Sequence, residues 1–143
     1  MPHEELREDP RSDARERALS LLYEAESKEL APRAVLAALP VRPDPRVVEL
    51  VEGVEDHQAE LDVLIVDHAR NWTLARMPAI DRNVLRIALY ELLGRPDVPV
   101  AVVIDEAVEL AKRFSTDDSG RFVNGMLSAI APKLRPDKHA TET

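Results

Sequence analysis

The 143-residue chain carries 27 acids against 19 Lys plus Arg, a formal charge of −8, with 45% apolar and only 3% aromatic residues. The absence of cysteine excludes disulfides, thiolate metal sites and cysteine nucleophiles, and no apolar run approaches the ~18 residues of a membrane span. The acidic start MPHEELREDP lacks the apolar stretch of a secretory signal, so a soluble cytoplasmic protein with a Leu, Val, Ile and Ala core is expected.

Nothing alternates with the period of a strand, and Pro and Gly divide the chain into helical segments. Residues 1–10 are polar and read as a flexible tail. Ser12 is a good cap for a helix over about 13–28, with a stripe of Ala14, Ala18, Leu21, Leu22 and Ala25. Pro32 suits the first turn of a short helix ending near Leu39, and Pro40, Pro43 and Pro45 mark a linker. Asp44-Pro45 reads as cap and first residue of a long helix to about Asn71, some ~40 Å at ~1.5 Å per residue. Its seam is Val47, Val51, Val54, Gln58, Leu61, Ile65 and His68, with a kink expected near the polar Gln58.

Thr73 suits the cap of a single turn before Pro78. A further helix spans about Ala79 to Leu93, buried through Val84, Leu85, Ala88, Leu89 and Leu92 and ended by Gly94. Pro99 opens the next, buried through Val103, Ala107, Leu110, Ala111 and Phe114. Ser115 to Asp118 caps the last, buried through Val123, Met126, Leu127 and Ile130. Pro132 is expected to end it, leaving a mobile tail from Lys133. The expected fold is all-α, about seven helices.

Charge is segregated. Residues 49–67 hold seven acids and no Lys or Arg, while residues 69–95 hold five Arg and two acids. Residues 121–138 hold four basic residues and one acid. An acidic molecule can thus carry a basic face, although charge runs commonly serve only solvation.

Catalytic signals are lacking. His57 and His68 are eleven residues apart and have no Glu-x-x-His partner, so they read as packing or surface residues. The four glycines are isolated, which excludes a phosphate loop, and no Gly-x-Ser-x-Gly elbow occurs. Asp105-Glu106 and Asp117-Asp118 are neighbours rather than facing pairs. No enzyme activity, metal or cofactor is expected.

Three clusters invite a binding role. Asp81-Arg82 opens a helix whose free amides, with Arg82 and Arg86 one turn apart, can take a phosphate; a capping acid with surface arginines is the plainer alternative. Arg11, Arg15, Leu19 and Tyr23 form a second stripe on the first helix, suited to phosphate contact and base stacking or simply to a solvated edge. In Phe122-Val123-Asn124-Gly125, Phe122 lies at the border of the buried face, either completing the core or anchoring a partner.

At these residues the chain resembles the NusB family of bacterial transcription antitermination proteins. The resemblance runs over Ala14-Arg15-Glu16-Arg17-Ala18-Leu19 and Leu22-Tyr23, then Asp81-Arg82-x-Val84-Leu85-Arg86-Ile87-Ala88-x-Tyr90-Glu91-Leu92. It continues through Val98-Pro99-Val100, Ile104-Asp105-Glu106-Ala107-Val108-Glu109-Leu110-Ala111-Lys112 and Phe114, and closes with Phe122-Val123-Asn124-Gly125-x-Leu127. It covers residues 11–135. It implies one NusB-like helical domain of two packed bundles, about 11–71 and 72–132, with flexible tails at 1–10 and 136–143. It implies binding of boxA-like single-stranded RNA in nascent ribosomal RNA, together with the small-subunit ribosomal protein NusE and the RNA polymerase antitermination complex. A homodimer is compatible, and no membrane partner is implied. The RNA-binding residues implied are Arg11, Arg15, Tyr23, Asp81, Arg82 and Arg86, and the partner-binding ones Asp118 and Phe122. Two alternatives are a helical protein-interaction module without RNA binding and a non-catalytic RNA-binding remnant of a ribosomal RNA methyltransferase. The arginines at 7, 11, 15 and 17 are interleaved with Glu8, Asp9, Asp13 and Glu16, which predicts modest RNA affinity for the free chain.

Overall fold

The computed structural model describes residues 9–70 and 72–136. They form α1 (Pro10–Lys28), α2 (Pro32–Ala37), α3 (Pro45–His68), a 3-10 turn (Leu74–Arg76), α4 (Ala79–Gly94), α5 (Val100–Phe114) and α6 (Asp117–Leu134). No strand occurs among the described residues. The all-α expectation holds, with six α-helices and the one short turn.

Asp-Pro opens two of these helices. Asp44 accepts from the Arg46 backbone N–H at 2.8 Å, as the sequence suggests. Asp9 does the same for Arg11 at 2.9 Å, so α1 starts with Pro10 rather than after Ser12. Asp9-Pro10 repeats the Asp44-Pro45 signal: an acceptor for free amides followed by a residue that has no amide to satisfy. Ser12, inside the helix, donates to Glu106 of α5 instead. Of the two expected tails, residues 1–8 and 137–143 lie outside the described residues. The third helix runs unbroken from Pro45 to His68.

The centre of the molecule is α4. Every residue from Asn83 to Leu92 is buried, and the helix touches α1, α3, α5 and α6. A helix buried all round is ordinarily apolar all round, whereas this one carries Asn83, Arg86, Tyr90 and Glu91, each needing a partner from a neighbour. The Tyr90 ring lies on the α3 backbone at Gly53, where an added Cβ would come within 2.3 Å of it. Its hydroxyl donates to Glu49 at 3.1 Å. Burial and then the Glu49 charge push the phenol up to about 12.

The acidic run of α3 is more than a solvated face. Arg33 of α2 forks onto Asp56 at 2.7 and 3.1 Å, with Glu52 and Glu55 beside it. Asp62 and Glu49 reach Arg86 and Arg95. His57 and His68 each donate Nδ1 to the carbonyl four residues back, at 2.9 Å.

Two expectations at the end of the chain are corrected. Pro132 lies inside α6, which continues to Leu134; in a last turn its ring forfeits only one backbone bond. The expected mobile tail from Lys133 is held by Arg135, whose guanidinium donates to the carbonyls of Leu92, Glu91, Arg95 and Val98. These carbonyls lie at and just beyond the end of α4, and those of Glu91 and Arg95 also accept from the backbone N–H groups of Arg95 and Val98. Phe114 is the third correction: it is 42% exposed, not core.

Candidate nucleic-acid interface

The two helices singled out in the sequence, α1 and α4, pack together through charge at two places, Arg15 of α1 against the end of α4 and Glu26 of α1 against its start. Arg15 is 3% exposed. Its guanidinium forks onto Glu91 of α4 with two 2.8 Å hydrogen bonds and reaches Glu106 of α5 at 3.3 Å. Burial works against its charge, but the Glu91 hydrogen bond and both carboxylates outweigh it, and the Arg15 pKa is raised.

A second network lies about three turns along α1. Glu26 receives Arg82 on both carboxylate oxygens and Arg86 at 3.2 Å. Arg82 also donates to the carbonyls of Leu74, at 2.9 Å, and Met77, at 2.6 Å. Arg86 forks onto Asp62 of α3 at 2.8 and 3.0 Å. Burial raises the Glu26 pKa, but the Arg82 and Arg86 contacts overcome it and hold the carboxyl below its ordinary value. The networks tie α1, α3, α4 and α5 into one body.

Of the six residues expected to meet RNA, Arg15, Asp81 and Arg86 are therefore buried, and Arg82 is part-buried and fully engaged. Arg11 and Tyr23 remain exposed, and Arg11 has no ion pair with any described residue. Tyr23 borders a groove with Leu19, Ser20 and Glu16 of α1, Ile80 of α4 and Phe114 of α5. Arg113 lies 4.9 Å over the Phe114 ring and pairs with Glu16 at 3.1 Å. Two exposed aromatics beside a guanidinium form a surface on which bases can stack. Sequence reasoning missed Phe114 and Ile80 by assigning Phe114 to the core. The exposed charged pair Lys112-Arg113 before it was the available signal.

The start of α6 carries the other two candidates. Thr116 caps it, accepting from Ser119 N–H at 3.0 Å. Asp118 is exposed and pairs with Arg121 one turn on. Phe122 is half-buried, edge-on to Trp72 with ring centroids 5.0 Å apart. It therefore both closes the core and borders the surface. Trp72 joins this site from the connection after α3, which periodicity alone did not assign. Asp81 is 1% exposed, and its Oδ1 has no hydrogen-bond partner among the described residues; burial raises its pKa. Among the described residues no group of three or more His, Asp or Glu could hold a metal, and no helix is long and apolar enough to cross a membrane.

Comparison with known proteins places this geometry in context. A family model described as the NusB family matches residues 12–132. The transcription antitermination protein NusB of Saccharopolyspora erythraea is 55% identical, covering 85% of this chain and 86% of that protein. That of Beutenbergia cavernae is 48% identical, covering 91% and 96%. Among solved structures, NusB of T. maritima superposes with a TM-score of 0.80 at 36% identity, covering 95% of this chain and 99% of that one. A chain from a crystal structure of antitermination factors NusB and NusE in complex with dsRNA gives 0.73 at 27% identity, covering 86% and 96%.

Proposed function

This chain belongs to the NusB family, and on that premise we propose that it is a non-catalytic, RNA-binding transcription antitermination factor. It binds boxA-like single-stranded RNA in nascent ribosomal RNA transcripts together with the ribosomal protein NusE, within the RNA polymerase antitermination complex in the cytoplasm. The observation that carries this reading is the match over 86% of the chain to a NusB-fold protein solved with NusE and RNA.

The geometry divides the proposed site into two kinds of residue. Arg11 offers an exposed cation to phosphate, and Tyr23 with Phe114 offers ring faces to bases. Arg15, Arg82 and Arg86 stand behind that surface and hold its helices in place, and Asp81 is buried. Asp118 and Phe122 form the proposed partner contact. With so few free cations on this face, the chain alone is a modest RNA binder, and NusE supplies a second RNA contact that raises effective concentration.

Electrophoretic shift with a boxA-like RNA and a scrambled strand, each with and without NusE, tests this. The expected result is tight binding only when NusE and the boxA-like strand are both present. Partner binding that leaves RNA affinity unchanged would sink the proposal in favour of a protein-interaction module.

A further inference from the structure

At the first turns of α1 a small pocket gathers guanidinium groups from three helices: Arg11 and Arg15 of α1, Arg46 from the first turn of α3, and Arg95 at the end of α4. Among the residues lining it Glu91 is the one acid, and both of its oxygens are held by Arg15. Ala14, Leu50 and Val98 complete the wall. Apolar walls beside charges of one sign focus the field, so the pocket draws an anion more strongly than the same arginines spread over open surface.

An arginine has five N–H donors and no acceptor. Arg46 turns Nη1 toward Asp44, at 3.3 and 3.4 Å, and its Nε and Nη2 hydrogens have no partner among the described residues. Arg95 gives one hydrogen each from Nε and Nη2 to Asp97 and one from Nη1 to Glu49, so each terminal nitrogen keeps a second. Asp44, Glu49 and Asp97 do not line the pocket. Its cavity volume is about 20 Å³, room for one water-sized group. A nucleobase is too large for it, whereas a single phosphate oxygen fits, and spare guanidinium donors suit that oxygen.

We propose that this pocket seats a backbone phosphate of the RNA, with Arg46 and Arg95 as phosphate contacts beside Arg11. This rests on the RNA-binding function proposed above and extends the bound strand roughly 18 Å back along α1 from Tyr23, at ~1.5 Å per residue. Asp9 and Asp13 interleave with the arginines of α1 and weaken that helix as a source of positive charge; α3 and α4 supply what it lacks. A phosphate contact carries no sequence information, so the pocket adds affinity for any strand, and the preference for boxA-like RNA stays with the ring faces.

The test uses the full chain with NusE. Arg46→Gln removes a guanidinium tied to the fold by a half-exposed pair with Asp44, and the Asp44 cap survives because it uses the Arg46 backbone N–H. The variant should melt as the wild type does. It should weaken binding of boxA-like and scrambled RNA by the same factor, about 3–10-fold, and lower the slope of log K against log salt by about 0.7–1. Arg46→Lys should recover the slope but only part of the affinity, since a point charge lacks the guanidinium fork. Inorganic phosphate is the second probe: it should shift the Arg46 and Arg95 side-chain N–H signals in NMR spectra of the free chain, and less so in Arg11→Gln. Wild-type affinity and slope in a folded Arg46→Gln would overturn the proposal. So would a loss confined to NusE binding, which would make this a protein contact. Signals that move with phosphate while Arg46→Gln leaves RNA binding intact would mean a pocket for free anions, and the RNA assignment would fall. If the unaltered chain fails to bind RNA with NusE, the functional reading falls, while the phosphate titration still decides whether the pocket seats a phosphate.

Discussion

Arg11 and Arg15 stand one turn apart on α1 and meet opposite surroundings. Arg11 faces solvent, while Arg15 is sealed against Glu91 and Glu106. The same division recurs further along the helix, where Tyr23 is exposed and Glu26, three residues on, is bound by two arginines of α4. The local sequence around Arg11 and Arg15 is charged on both sides and does not tell them apart. What differs is the helix opposite: α4 sets a carboxylate before Arg15 and offers none to Arg11. A basic stretch therefore counts toward RNA binding only after the guanidinia that neighbouring helices neutralise are set aside.

The sharpest way to break this comparison is to remove the buried partner. Arg15→Ala leaves Glu91 buried without its fork and should destabilise the fold by about 3–5 kcal/mol, read by thermal or denaturant unfolding. RNA binding by Arg15→Ala should fall only as the fold falls. A stable variant with lost RNA affinity would return Arg15 to the contact surface.

A smaller effect is expected at Glu26. Glu26→Gln should cost roughly 1–3 kcal/mol at neutral pH, since hydrogen bonds to a charged group are lost. The folded pKa of Glu26 lies below its ordinary value of 4.5. Its contribution is therefore complete above 4.5 and is lost as pH falls through the lowered folded value. Unfolding measured against pH should show a shallower acid limb in the variant. An unchanged slope would separate Glu26 from the network.

The smallest stability effect belongs to Arg11. Arg11→Ala should alter stability by no more than about 0.5 kcal/mol, while lowering RNA affinity and reducing the slope of log K against log salt by about 1. A salt titration of RNA binding checks this. A variant with an unchanged slope would show that Arg11 meets no phosphate.

Helix positions were legible in the sequence wherever apolar spacing and Pro or Gly coincided, as on α3 and α4. Misreadings arose where a residue had two uses. Phe114 continues the apolar spacing of α5 but overhangs its end. Pro132 carries a stop signal, but in a last turn that signal is weak. Arg135 follows that proline in a polar stretch, and nothing local shows that four backbone carbonyls await it. The candidate site was legible as a set of residues but not as a set of roles.

Local pattern alone establishes that this chain is helical, where its helices begin and end to within a few residues, and which family motif it carries. Those properties follow from spacing, caps and breakers within a few turns of one another. Tertiary packing sets which arginines stay free, that Asp81 is buried, and that Trp72 meets Phe122. A charge is available or spent according to what another helix places within a few ångströms, and that distance is set by how α1, α3 and α5 pack around α4 rather than by any local pattern.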